Sequence, residues 1–356
     1  MANELGEILR GQKRVFTEAG TESPALSAEL LLAHALGVER QELLHLLLME
    51  PRRVLGKLAI ERFASYAERR LLGEPVAYIT GCKEFYGREF TVTPATLIPR
   101  PETELIIDKA LELFGNRHTQ QPSGGFLREN TVSSGKRRFA DFGTGSGCLA
   151  VTLALELNRA SALPQETGGG QGPQPENEWS GLALDISPEA LEVAARNAEK
   201  LGAAGTLTFM QADFALPLPQ LSASLGEAWV CESLDLLVSN PPYVSEAEYR
   251  NLAVEVRSFE PKGALVPAAA SLSPAGNELL PAVCNAALRQ LKPGGVLLME
   301  IGHDQGGFMR ELLSGQSAAA PDSPHAPASD IGPVWREWQV LQDLAGLDRT
   351  VFARKK

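Results

Sequence analysis

Through roughly the first seventy positions, apolar residues return at helical spacing. Leu5, Ile8, Leu9, Val15 and Phe16 predict a first helix. Ser23-Pro24 opens a second, carried by Leu26, Leu30, Leu31, Ala33 and His34 and stopped at Gly37. Glu39–Met49 predicts a third. Pro51 opens a fourth, with Leu55, Leu58, Ile60, Phe63, Tyr66, Ala67 and Leu71 inward and its end at Gly73. Helices this short need one another, so residues 1–75 predict a small helical bundle. Residues 76–98 are aromatic, β-branched and punctuated by glycine, which predicts a linking β-hairpin. Pro101, followed by Glu102 and Glu104, suits a helix start.

From residue 99 to 356 the pattern alternates. Strands are expected at 138–142, 181–185, 206–210, 234–239 and 295–301, with helices at 147–158, 188–200, 275–291 and 305–314. That order predicts an α/β domain built on a mostly parallel, doubly wound sheet. Two closing strands near 335–341 and 348–354 predict an antiparallel edge hairpin. Stretches near 116–137, 160–180 and 315–332 are rich in Gly, Pro, Ser and Gln and read as inserted surface loops.

Composition narrows the function. With 356 residues, 44% hydrophobic and 22% charged, the chain can bury a sizeable core. It has no uninterrupted apolar run of about 18 residues, and its start lacks a basic-then-apolar signal, so a cytoplasmic protein without a membrane partner is expected. Cys82, Cys148, Cys231 and Cys284 are widely spaced, which predicts reduced thiols and no metal site. The net charge is −11, and it is uneven: residues 1–90 carry 12 basic against 13 acidic side chains, the remainder 21 against 31. Neither part offers the basic stripe of an extended nucleic-acid surface.

Two loops carry candidate chemistry. Asp141-Phe142-Gly143-Thr144-Gly145-Ser146-Gly147 lies where a strand turns into a helix. Its glycines allow a sharp bend and close approach of a ligand. Gly-x-Gly-x-Gly differs from the dinucleotide spacing Gly-x-Gly-x-x-Gly, and no Gly-Lys-Ser/Thr follows, so a nucleoside without a pyrophosphate fits best. Asp141 is available to a ligand amine. The alternative is a tight turn that binds nothing. Asp185, at the end of the next strand, can accept from two ribose hydroxyls or can cap the following helix, although Ser187-Pro188 suits capping better. Asp213-Phe214 can meet an adenine amino group and ring; the alternative is a loop residue beside a core aromatic.

The sharper signal is Asn240-Pro241-Pro242-Tyr243, directly after an apolar strand. Two prolines stiffen the loop and remove two N–H donors. What remains is acceptor-rich: the Asn240 side-chain oxygen and the Pro241 carbonyl can grip both hydrogens of a planar NH2, with Tyr243 stacked on its flat face. This suits methyl transfer to an amide or exocyclic amine, a weak nucleophile that acceptors activate as charge builds on nitrogen. A proline-stiffened turn without chemistry is the alternative.

These motifs resemble the class I, S-adenosyl-L-methionine-dependent methyltransferases that modify planar NH2 groups. Four further stretches, Gly73–Gly81, Leu97–Glu104, Arg257–Pro261 and Gly294–Gly302, resemble the HemK/PrmC family of protein-(glutamine-N5) methyltransferases. The resemblance implies a Rossmann-like class I methyltransferase sheet, a small N-terminal helical domain with a linking hairpin, and S-adenosyl-L-methionine as cofactor; the helical domain is expected to dock the protein substrate. It implies that the acceptor is the glutamine of the Gly-Gly-Gln loop of class I peptide-chain release factors. By the same resemblance Asn240, Pro241, Pro242 and Tyr243 hold that glutamine, while Gly143–Gly147, Asp185 and Phe214 line the cofactor. Other readings on the same residues are a DNA adenine-N6 methyltransferase, disfavoured by the acidic balance, a ribosomal-protein glutamine methyltransferase, and a cofactor-binding interaction module. Glu300, at a strand end, either shapes the pocket or serves the sheet.

Overall fold

The computed structural model describes residues 3–115, 136–162, 178–214, 229, 231–267, 276–315 and 334–356. Most of the three expected inserts lies outside these residues. The chain divides into two compact units, one holding residues 1–83, 92–94 and 252–260, the other 84–91, 95–251 and 261–356.

The first unit is helical. Leu5–Glu18, Pro24–Leu36, Arg40–Met49 and Lys57–Leu71 enclose Leu5, Leu9, Phe16, Leu31, Leu32, Leu43 and Phe63. The fourth helix begins at Lys57, not at Pro51. Residues 51–55 instead lie along the chain start: Leu5 N–H donates to Arg53 O and Leu55 N–H to Asn3 O. Its inward stripe is Phe63, Ala67 and Arg70, while Leu58 and Leu71 are exposed. Val15 and Leu26 are exposed as well. The buried Arg70 pairs with Glu255 on the helix Val254–Phe259, which belongs to this unit although it follows the Asn-Pro-Pro-Tyr loop in sequence.

Residues 76–80 are a helical turn where strand was expected. Thr80 Oγ1 donates to Val76 O at 3.0 Å, and Gly81, at φ +76°, ends the turn. The hairpin is confined to β1 (Cys82–Phe85) and β2 (Arg88–Thr91). Its turn residues Tyr86 and Gly87 both have positive φ, which matches the twist of the flanking strands.

The second unit contains, among the described residues, a seven-stranded sheet. Its strands are β3 (Arg137–Phe142), β4 (Trp179–Asp185), β5 (Leu207–Gln211), β6 (Leu234–Ser239), β7 (Leu291–Glu300), β8 (Trp335–Gln342) and β9 (Asp348–Lys355). The order is β5-β4-β3-β6-β7-β9-β8; β9 runs antiparallel to both β7 and β8, and the other pairings are parallel. Parallel strands are covered on both faces, which explains the unbroken apolar run Leu236-Leu237-Val238, each residue fully buried. Two buried clusters result, one on each side of the sheet, containing for example Leu237, Leu280 and Met309, and Ile106, Leu153 and Val238. Among the described residues, no helix is long and apolar enough to cross a membrane.

Candidate active site

The strand order reverses direction between β3 and β6. Open α/β sheets bind ligands at such a switch point, beyond the carboxyl ends of the strands. β3 ends level with β6, Phe142 beside Ser239, and Ser239 Oγ donates to Phe142 O at 2.8 Å. The glycine loop leaves β3 and the Asn-Pro-Pro-Tyr loop leaves β6, so the two motifs start as neighbours. A Cβ on Gly143 would stand 3.8 Å from the Asn240 backbone oxygen and 3.9 Å from the Phe214 ring. Both loops and Phe214 therefore border one small space. Phe214 also stacks on Phe142, with centroids 5.5 Å apart, so it is at once a core aromatic and a lining residue. Asp213 precedes it in the stretch that follows β5.

Gly143, Gly145 and Gly147 have φ of +76°, +54° and +80°, a region that side chains strain to enter. Acids at two strand ends brace this bend. Asp141 Oδ2 accepts from Thr144 Oγ1 at 2.7 Å and from Ala150 N–H at 3.1 Å, joining the loop to the helix Cys148–Ala162. Ser146 is buried within the bend. Asp185 Oδ2 accepts from Gly145 N–H at 2.8 Å and Oδ1 from Ser187 N–H at 3.0 Å. Ser187 Oγ caps the helix Pro188–Leu201 by accepting from Ala190 N–H, so the capping role open to Asp185 falls to serine.

Asp141 Oδ1 is buried without a hydrogen-bond partner. An orphaned acid oxygen, an acid at the end of β4, an open glycine bend and an aromatic ring form a set that fits S-adenosyl-L-methionine: an ammonium, two ribose hydroxyls and a flat base. Burial pushes the Asp141 carboxyl up to about 7, helped by the negative charge of Asp185 and opposed by the bonds from Thr144 and Ala150. Burial raises Asp185 also, against the N–H groups of Ser187 and Gly145.

A titration tests Asp141. A carboxyl whose folded value exceeds its unfolded value contributes stability that is complete below the unfolded value and is lost as pH rises through the folded one. Ligand-free protein should lose melting temperature between about pH 4 and pH 7 and level off above that, and Asp141→Asn should flatten that slope. Equal slopes in parent and variant would remove Asp141 as the titrating group.

In the second loop, Pro241 is buried and Asn240, Pro242 and Tyr243 are half-buried. Asn240 Nδ2 donates to Thr103 Oγ1 at 3.2 Å, Thr103 Oγ1 donates to Glu300 Oε2 at 2.6 Å, and Tyr243 OH donates to Glu300 Oε1 at 2.9 Å. Glu300 ends β7 and is fully buried. Burial raises its pKa, opposed by the Thr103 and Tyr243 hydroxyls and by Arg349. Burial and the neighbouring Glu300 push the Tyr243 phenol upward too.

Behind the loop, Gln305 Nε2 donates to Tyr243 O at 3.0 Å. Gly276, at φ +70°, packs so closely that a Cβ there would stand 2.4 Å from the same oxygen. Gly276→Ala must therefore displace residues 243–245, and we expect turnover to fall about tenfold with cofactor affinity unchanged. Calorimetry beside steady-state rates checks this; full turnover would mean that the loop tolerates the shift.

Thr103, Gly276 and Gln305 are supports that the sequence pattern does not single out. Thr103 sits in a stretch that reads as a helix start and carries the family resemblance, but neither reading gives the residue a role, and a lone Gln or Gly carries no signal. For Glu300 the sequence offered one, an acid at the end of a buried strand.

Comparison with known proteins agrees with this architecture. Residues 7–81 match the family model of the PrmC N-terminal domain, and residues 133–325 match a methyltransferase domain. The release factor glutamine methyltransferase of Nitratidesulfovibrio vulgaris is 40% identical, the alignment covering 99% of this chain and 95% of that protein. Those of Chlorobaculum tepidum and Bacillus subtilis are 36% and 35% identical, with 96% and 98% of this chain and 94% and 96% of the relatives covered. With relatives aligned over nearly their whole length, and the glycine and Asn-Pro-Pro-Tyr loops side by side at the switch point, the chain belongs to the release factor glutamine methyltransferase family.

Proposed function

We propose that this chain transfers the methyl group of S-adenosyl-L-methionine to the side-chain amide nitrogen of the glutamine in the Gly-Gly-Gln loop of class I peptide-chain release factors. The observation that carries the reading is the orientation of Asn240. Its Nδ2 is committed to Thr103, so its Oδ1 is the end left to accept a hydrogen bond. An amide that must receive an NH2 needs that polarity.

The cofactor supplies a sulfonium-activated methyl group. In our assignment Gly143–Gly147, with Thr144 and Ser146, shape its bed, Asp141 faces its ammonium, Asp185 its ribose, and Asp213 and Phe214 its base. Asn240 Oδ1 and the Pro241 carbonyl take the two amide hydrogens of the glutamine, and Pro242 stiffens the loop. Tyr243, its hydroxyl anchored on Glu300, offers its ring to the carboxamide plane. An amide nitrogen has its lone pair delocalised into the carbonyl. Acceptors on both N–H bonds favour the positive charge that grows on nitrogen as the methyl arrives, so they stabilise the transition state more than the ground state. No strong base is required beside the nitrogen, because its proton can leave after transfer. We assign substrate docking to the helical unit.

Mass spectrometry of a release factor incubated with the chain and cofactor tests the reading. One added methyl on one glutamine of the Gly-Gly-Gln loop is expected. Methyl on duplex DNA adenine or on a ribosomal-protein glutamine, with the release factor unmodified, would replace the assigned substrate.

A further inference from the structure

We propose that Glu300 and Thr103 are positioning residues that dictate which end of the Asn240 amide faces the substrate, an inference that rests on the glutamine-methylating reading above. A threonine hydroxyl has one proton, and an ionised carboxylate only accepts. Thr103 Oγ1 stands 2.6 Å from Glu300 Oε2, so its proton is committed there. Toward Asn240 the same oxygen can act only as an acceptor. Asn240 must then turn its NH2 to Thr103, which is the contact observed at 3.2 Å, and present Oδ1 on the other side.

Reversal of that order has a chemical consequence. A flipped Asn240 would set its own NH2 against the substrate NH2, donor against donor. Water could scramble such an order on an open surface, but Thr103 is 2% and Glu300 1% exposed. Glu300 Oε1 meanwhile receives the Tyr243 hydroxyl, so one carboxylate orders both ends of the Asn-Pro-Pro-Tyr loop. Two acceptor oxygens are required at once. Glutamine at position 300 has the shape but only one such oxygen, and its NH2 would leave either Thr103 or Tyr243 free to turn.

The charged groups that act on Glu300 are Arg349, which favours the ionised form, and Glu102, which opposes it. Tyr243 also feels Arg349 and Arg100. Since the relay needs the carboxylate, and burial raises its pKa, kcat should fall on the acid side above the ordinary carboxylate range.

The test uses the full chain with release factor and cofactor. Thr103→Val and Glu300→Gln should each lower kcat about tenfold to hundredfold while the cofactor Kd stays within about twofold. Thr103→Ser keeps the hydroxyl and should return kcat to within about threefold of the parent. The acid limb of the parent's kcat profile should be missing from the residual activity of Glu300→Gln. Parental kcat in Thr103→Val, or equal losses in the Ser and Val variants, would overturn the relay, because the first needs no ordering and the second reports packing alone.

If a variant fails to fold, the parent still answers. Its Asn240 side-chain amide resonance, identified by disappearance in Asn240→Ala, should shift with the acid limb, and a resonance indifferent to pH overturns the proposal. A parent that leaves the release factor unmethylated fails before any substitution is made. That outcome indicts the functional reading and not the relay.

Discussion

Asn240→Ala should lower turnover by about two to three orders of magnitude while cofactor affinity stays nearly unchanged. The alanine removes the acceptor offered to the substrate amide and leaves Thr103 Oγ1 without the Nδ2 donor it receives at 3.2 Å. It removes nothing from the carboxylates at the ends of β3 and β4, which face the glycine bend on the other side of the switch point. Asn240→Asp separates shape from polarity. Aspartate keeps an acceptor toward the substrate but cannot donate to Thr103, and it brings a second carboxylate toward the buried Glu300. Its turnover should also fall, and most steeply at high pH, where both acids are ionised. Rates with a saturating release factor, set beside calorimetry of the cofactor, decide between the effects. Turnover within about threefold of the parent in Asn240→Ala would remove this residue from the chemistry.

The parts of this site that follow from local chain physics are legible in the sequence, and the parts that need tertiary contact are not. Glycines at 143, 145 and 147 announce a left-handed bend because other residues are strained there. An Asn-Pro-Pro-Tyr run after an apolar strand announces a stiff, acceptor-rich loop at the carboxyl edge of a sheet. The alternation that follows residue 136 gave the strands of the sheet and its antiparallel edge. Thr103, by contrast, reaches Asn240 across 137 positions and Glu300 across 197, and no periodicity reports such a meeting.

The misreadings in the helical region have the same origin. Pro51 is a legitimate helix opener, yet residues 51–55 bond to the chain start, a partner that proline statistics cannot see. Val76–Thr80 is β-branched and aromatic but closes into one helical turn, because Pro75 O accepts from Tyr78 and Ile79 N–H and Ile79 is buried in the helical core. Arg70 occupies an inward position where the pattern favours leucine, since Glu255 meets it there. In each case a long-range contact overrode a local preference.

Asp185→Ala should weaken cofactor binding about a hundredfold and change turnover at saturating cofactor much less. Two losses combine in that figure. The carboxylate at the end of β4 is the acceptor we assign to the ribose hydroxyls, and hydrogen bonds to a charged acceptor are the stronger kind. The same group receives Gly145 N–H at 2.8 Å and Ser187 N–H at 3.0 Å, so alanine also frees the middle of the glycine bend. Asp185→Asn distinguishes the two. Its one side-chain oxygen can keep Gly145 in place, but its NH2 donates where the carboxylate accepted, so the ribose contact is reversed while the loop is largely held. If the ribose contact dominates, Asn and Ala should weaken affinity alike. If bracing dominates, Asn should fall close to the parent. Helix 188–201 should stay intact in both, since Ser187 Oγ holds its cap. Calorimetry on both variants separates these outcomes, and an affinity equal to the parent's in Asp185→Ala would exclude the end of β4 from the cofactor site.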